Sequence, residues 1–203
     1  MERYDTEYER YSQLYVNIMI EQENERKFLV KKLPDNIESY KHYKLEQYYL
    51  TQTEDEYSIR IRKYSNKEHP YYLEIKGQGM KSRTEITNPI SEEEYNSLKT
   101  EHEIIKTRYE VPSKTTKGIV LQIDIYEGNL KGLIVAEAEV MGNNTKLLDD
   151  YIPDNFLGKE VTGVSEYTNH HLSFSQKIPS EPWYMKNIIK PLIDKDFNNT
   201  FKP

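Results

Sequence analysis

Cysteine is absent from the 203 residues. That removes disulfides, thiolate metal sites and cysteine nucleophiles. No apolar run approaches the roughly 18 residues that a spanning helix needs, so no membrane partner is expected. The first residues, MERYDTEYERY, are acidic and polar where a secretory leader needs a basic start and an apolar stretch. Basic blocks are missing too: the net charge is −6, and nothing favours a nucleic-acid partner. These absences predict a soluble, cytoplasmic protein. Glycine is scarce, at 8 residues, and Gly77-Gln78-Gly79 is too short for a P-loop. The five histidines show no zinc spacing, and the adjacent His170 and His171 would point apart on any regular element. No nucleophilic-serine motif is visible.

Charge is what the chain has in abundance. Charged residues make up 31% and hydrophobic ones 36%, against typical values of about 25% and about 45–50%. Yet 18 tyrosines and an aromatic share of 12% argue for a folded chain, since disordered segments are poor in aromatics. Tyr4, Tyr8, Tyr11, Tyr15 and Ile18 fall at helical spacing and predict an N-terminal helix. Its apolar side would pack on the domain or on a second copy, which leaves a homodimer open. From Glu21 to Val140 the period is two, in the runs EQENERKFLV, YYLTQT, EYSIRIRKY, YYLEIKG, SRTEIT, IIKTRYEV, IVLQIDIY and LIVAEAEV. Short alternating runs broken by Gly, Asn and Pro predict an antiparallel sheet or barrel. Ser91 and Glu94 form a capping-box pattern at the head of a helix in SEEEYNSLKTEHE, and a second short helix is expected over 144–151. The predicted organisation is a helical extension over 1–20, one domain over 21–178 and a tail over 179–203, with Trp183 as a packing anchor.

The alternation separates charge from apolar side chains in almost every run. The acids Glu23, Glu25, Glu74, Glu85, Asp124, Glu137 and Glu139 share one face with the bases Lys27, Arg60, Arg62, Lys76, Arg83, Lys106 and Arg108. A half-exposed sheet also alternates, but a solvent face usually mixes in Ser, Thr, Gln and Asn. If these faces line a closed barrel, the lumen is polar and nearly charge-balanced. The apolar faces then point outward and need helices and loops to cover them. Arginines in quantity suit phosphate oxygens through their bidentate fork. Clustered carboxylates suit a hard divalent cation. A site offering both suits a phosphate chain chelated by Mg²⁺ or Mn²⁺.

The ordered series ENERKFLV, QYYLT, IRIRK, LEIKG, SRTE, KTRYEV, QIDIYEGNLKGL, AEAEV and FLGKEVTGVSEYTNHHL resembles CYTH-domain proteins of the triphosphate tunnel metalloenzyme superfamily, most closely the short bacterial tripolyphosphatase-like members. Glu23-Asn24-Glu25-Arg26-Lys27 matches the family's E-x-E-x-K. The resemblance implies an α+β, mainly antiparallel fold: a closed eight-stranded barrel with a charged lumen and flanking helices. It implies metal-side carboxylates at Glu23, Glu25, Asp124, Glu137 and Glu139, with Mg²⁺ or Mn²⁺. It implies a triphosphate cradle of Lys27, Arg60, Arg62, Lys76, Arg83, Lys106 and Arg108, and a water-activating pair, Lys76 and Tyr49. The implied activity is metal-dependent hydrolysis of inorganic tripolyphosphate or a small organic triphosphate. Class IV adenylyl cyclase, thiamine triphosphatase and a non-catalytic binding module stand as alternatives. Three departures are visible: Thr87 where members often have a third acid after Arg83 and Glu85, Glu166 where many have a base, and the 20-residue extension. Glu21, one step before the motif, is expected at the tunnel rim.

Overall fold

Alternating sequence becomes nine antiparallel strands in the computed structural model, which describes residues 19–51, 57–79, 81–141 and 145–180. The helix predicted over 4–18, Trp183 and nearly all of the tail lie outside the described residues. The strands are β1 (Met19–Val30), β2 (Lys41–Tyr49), β3 (Tyr57–Tyr64), β4 (Tyr71–Gly77), β5 (Ser82–Pro89), β6 (Glu103–Pro112), β7 (Val120–Tyr126), β8 (Ile134–Met141) and β9 (Leu157–Glu160). Among the described residues three short helices accompany them: α1 (Glu92–Ser97), α2 (Thr145–Asp149) and α3 (Asn169–Ser175). The sheet runs β5-β4-β3-β2-β6-β7-β8-β1-β9, and pairing of β5 with β1 closes eight strands into a barrel.

β1 makes closure possible because it is long. One edge pairs β8 over Glu23–Leu29. The other pairs β5 over Met19–Asn24 and then β9 at Phe28 and Val30. Its outward residues hold the outer core. Phe28 packs with Leu121, Ile123, Ala136 and Ala138 of β7 and β8, under Leu148 of α2, Tyr151 and Leu157 of β9. Arg26, on the same outward face, ties this cover down. It donates to both carboxylate oxygens of Glu160 at 3.0 and 2.8 Å and to the Tyr151 carbonyl at 2.9 Å. A second cluster, Tyr48, Ile61 and Tyr95, uses α1 to cover β2 and β3.

Two segments differ from the sequence reading. α1 has the expected capping box, with Ser91 and Glu94 each accepting the other's backbone N–H. However, it ends at Ser97. Tyr95 alone in that helix is buried, and Ile104, also buried, already belongs to β6, so no second apolar turn exists to extend it. β2 begins at Lys41, well before the YYLTQT run. Its inward positions are Tyr43, Leu45, Gln47 and Tyr49, as their pairing to Arg108, Lys106, Arg62 and Arg60 shows. Its outward positions Lys44 and Glu46 face water or its margin. The polarity of β2 is thus inverted relative to its neighbours, which hid its first residues.

One end of the barrel is plugged. Tyr49, Ile104, Tyr126 and Val135 sit on the inward face there and pack with Leu130, Leu133 and Leu172 of α3. Thr168 caps α3 by accepting from the His171 N–H, which seats Leu172 against the strand ends. No helix among the described residues is long and apolar enough to cross a membrane.

Candidate active site in the barrel lumen

Directly paired residues of neighbouring strands share a face, so the register alone shows which charges meet. Lys27 stands opposite Glu137 and Glu25 opposite Glu139. Glu23 stands opposite Arg83, Lys76 opposite Glu85, Arg60 opposite Glu74 and Arg108 opposite Asp124. All fourteen charges are inward. Twelve of them surround a cavity of about 250 Å³ whose wall also includes Tyr43, Tyr49, Tyr64, Lys67, Gln122 and His170.

The lumen is organised as short ion pairs. Lys76 Nζ lies 2.8 and 2.7 Å from the two oxygens of Glu23 and 2.8 Å from Glu85, which occupies all three of its N–H donors. Arg83 reaches Glu23 at 2.9 Å and Glu25 at 3.3 Å. Lys27 lies 3.1 Å from Glu137 and 3.6 Å from Glu25. Glu74, only 1% exposed, accepts from Arg60 at 2.7 Å and pairs with Arg62 at 3.2 Å. Tyr49 Oη accepts from Arg60 at 3.2 Å, and its ring stands edge-on to His170 at 5.3 Å.

These pairings polarise the acids in opposite directions. Burial pushes the Glu23 carboxyl up, but Lys76 and Arg83 outweigh it and hold the group below its usual range. Burial likewise opposes ionisation of Glu74, yet Arg62 and Arg60 bring it down to about 2. Lys27 and Arg108 hold Glu137 low against its burial. Glu139 is the exception. Burial and then the neighbouring Glu23 charge raise it to about 7, and its hydrogen-bond donor is the neutral Gln122, at 2.7 Å.

Two predicted residues sit apart from the cavity wall. Lys106 and Asp124 are both fully buried and form a 2.5 Å pair in which Arg108 also binds Asp124 at 2.6 Å. Burial lowers Lys106 to about 7, with Arg108 opposing its charge and Asp124 supporting it. Neither residue is on the wall of the cavity, whereas the other predicted cradle residues, Glu23, Glu25, Glu137, Glu139 and Tyr49 are. Glu21 is exposed and lies on that wall, and Thr87 does too. Glu166 is exposed, bonded to Ser165, and lies off the cavity wall. Sequence reasoning missed Lys67, which comes from the turn after β3, where no alternation signals a face. Among the described residues no three acidic or histidine side chains converge as a ready-made metal cluster.

No protein-family model matches this chain, and neither does any curated protein. Solved structures do. The crystal structure of the inorganic triphosphatase NE1496 is 28% identical, covering 77% of this chain and 99% of its own, with a TM-score of 0.55. A putative adenylyl cyclase from Hippeastrum, HpAC1, whose structure is described as revealing a dominant triphosphatase activity, is 13% identical. It covers 78% of this chain and 97% of its own at a TM-score of 0.50, and so shares the fold. Its barrel closed on a lumen of paired charges, with Glu23, Glu25 and Lys27 inward on the first strand, is shared in fold with these proteins and is consistent with a CYTH-type triphosphate tunnel domain.

Proposed function

We propose that this protein hydrolyses a triphosphate, inorganic tripolyphosphate or a small organic one, with a divalent cation as cofactor. The observation that carries the reading is the state of the lumen cations. Six of them, Lys27, Arg60, Arg62, Lys76, Arg83 and Arg108, are held inward by acids on the same wall. Arg62 Nε is buried with no hydrogen-bond partner among the described residues. A polyanion entering this cavity exchanges carboxylate partners for phosphate oxygens, and the guanidiniums grip it bidentately. Because the side chains are already oriented, little reorganisation accompanies charge development at the phosphorus.

By donor type the lumen carboxylates suit a hard cation, and metal binding would draw together acids that stand apart among the described residues. Glu23, Glu25 and Glu139 offer only oxygen, as Mg²⁺ and Mn²⁺ prefer. Glu139, raised to about 7 by burial and by the neighbouring Glu23 charge, has no cation within ion-pair distance among the described residues. Glu25 makes only long contacts, of 3.3 and 3.6 Å. These three would hold the metal, Glu23 giving up part of its pairing with Lys76 and Arg83 to do so, while Asp124 and Glu137 stay paired with Lys106, Arg108 and Lys27. When bound, the metal supplies charge neutralisation of phosphate oxygens and acidification of water. Lys76 and Tyr49 are the proposed pair orienting the attacking water: Lys76 is fixed by Glu23 and Glu85, Tyr49 by Arg60. The plug of Tyr126, Val135 and Leu172 keeps bulk water from that end.

The test is incubation with tripolyphosphate, ATP and thiamine triphosphate, each with Mg²⁺ or Mn²⁺. Orthophosphate, pyrophosphate and cyclic AMP are measured. Orthophosphate from a triphosphate, lost on chelation and reduced roughly 100-fold in Glu23→Gln, is expected. Cyclic AMP with pyrophosphate would instead identify a cyclase, and tight binding without product a binding module.

A further inference from the structure

Lys67 is a lumen-wall cation of a different kind. It is exposed, in the turn joining β3 to β4, and it lines the cavity beside Arg62 and Tyr64. The six other wall cations each have a carboxylate within 4 Å, whereas Lys67 has none among the described residues. Its ammonium rests instead on two rings, 3.8 Å from the centroid of Tyr64 and 4.4 Å from that of Tyr72. A ring face steadies a cation without neutralising it, so an incoming anion meets no competing carboxylate there. Tyr64 also accepts from Arg62 Nη1 at 2.7 Å. One tyrosine therefore positions both Lys67 and Arg62, and Arg62 is the residue whose Nε is buried without a partner among the described residues. An unsatisfied buried donor is costly, and an anionic oxygen at this point would relieve it.

The location gives the pair a role. β3 reaches this turn at Tyr64, which pairs with Leu45, while the plugged end of the same two strands is at Arg60 and Tyr49. Lys67 therefore marks the open end. In the ring of eight strands, β3 and β8 are four places apart, so the turn faces the wall that carries Glu137 and Glu139.

We propose that Lys67 and the free Nε of Arg62 form an anion subsite at the open end of the lumen. It takes the terminal phosphoryl group of a linear polyphosphate whose other end lies toward the acidic wall, and so selects for chain length. The subsite rests on the triphosphate reading above and adds a residue outside the strands to it.

Calorimetric titration of the full chain in chelator, with tripolyphosphate and with pyrophosphate, tests this without metal or turnover. Lys67→Met is expected to weaken tripolyphosphate binding roughly tenfold and pyrophosphate binding less than about twofold, because two phosphoryl groups do not reach both ends. Lys67→Arg restores the tripolyphosphate affinity to within about threefold. In steady state the loss falls on KM rather than kcat. Unchanged tripolyphosphate affinity, or equal losses for both anions, overturns the subsite while leaving the hydrolase reading intact. Lys67-dependent binding in a wild-type protein that releases no phosphate overturns the hydrolase reading and leaves the subsite standing.

Discussion

Glu74 holds the cationic wall in place, and its removal is the sharpest stability test. Oε2 accepts from Arg60 Nε at 2.7 Å and lies 2.6 Å from Nη2; Oε1 pairs with Arg62 at 3.2 Å and accepts from Tyr64 at 3.3 Å. Glu74→Gln keeps the volume and removes the charge, leaving two buried guanidiniums without their main counter-ion. The carboxyl falls from its ordinary 4.5 to about 2 in the fold. That difference corresponds to about 3 kcal/mol, in line with the 3–5 kcal/mol expected when a buried pair is broken. In a chain of this size that lowers Tm by roughly 10 °C. The pH dependence has a definite sign. Above pH 4.5 both folded and unfolded carboxyls are ionised, and the stabilisation is complete. As pH falls from 4.5 toward 2 the unfolded chain takes the proton first, so stability is lost. Urea unfolding of wild type and variant in chelator should therefore show the full gap at pH 7, narrowed by roughly 1.5 kcal/mol at pH 3.5. Tripolyphosphate should raise the variant's Tm more than the wild type's, because its arginines lack a competing acid. A gap below about 1 kcal/mol at pH 7, or one that does not change down to pH 3.5, refutes the reasoning.

Other substitutions separate the lumen from its supports. Tyr49→Phe removes the acceptor of Arg60; a fall in kcat of at least about tenfold with KM within about twofold is expected, and an unchanged kcat would remove Tyr49 from the water-orienting pair. Arg26→Ala, on the outer face, strands the Tyr151 carbonyl and frees β9 and the α2 segment, for a loss of about 2 kcal/mol by urea unfolding. The Glu160 pair adds little to that, since Glu160 is 40% exposed in its side chain. KM for tripolyphosphate should stay constant in Arg26→Ala, and a large change would mean that the outer cover shapes the lumen. Leu172→Ala opens the plug and should cost about 3 kcal/mol; a loss under about 1 kcal/mol would show that the barrel end collapses around the gap.

Much of the lumen was legible before any coordinates, because period-two alternation is a local property of the chain. Ile59 and Ile61 against Arg60 and Arg62, or Ala136 and Ala138 against Glu137 and Glu139, already state that one face is charged and the other apolar. The first part of β2, ahead of the YYLTQT run, escaped because the rule reverses there: the strand's inward face is Tyr43, Leu45, Gln47 and Tyr49. Sequence spacing also marked α1 correctly at its cap and wrongly at its end, since a cap is a local hydrogen-bond pattern and an end depends on what the next residues pack against.

The sequence by itself determined the inward charges and the order of the strands along the chain. Only tertiary structure decided which charges meet. Glu23 with Lys76, 53 residues apart, and Glu25 with Arg83, 58 apart, are neighbours because β1 is long enough to pair β8 and β5 on opposite edges. Closure also withdrew Lys106 and Asp124 from the wall, through the plug packed at that end, and brought Lys67 onto it from a turn. Alternation assigns a side chain to a face. Its depth in the lumen, and its partner across it, come from inter-strand register and barrel closure, which no single strand encodes.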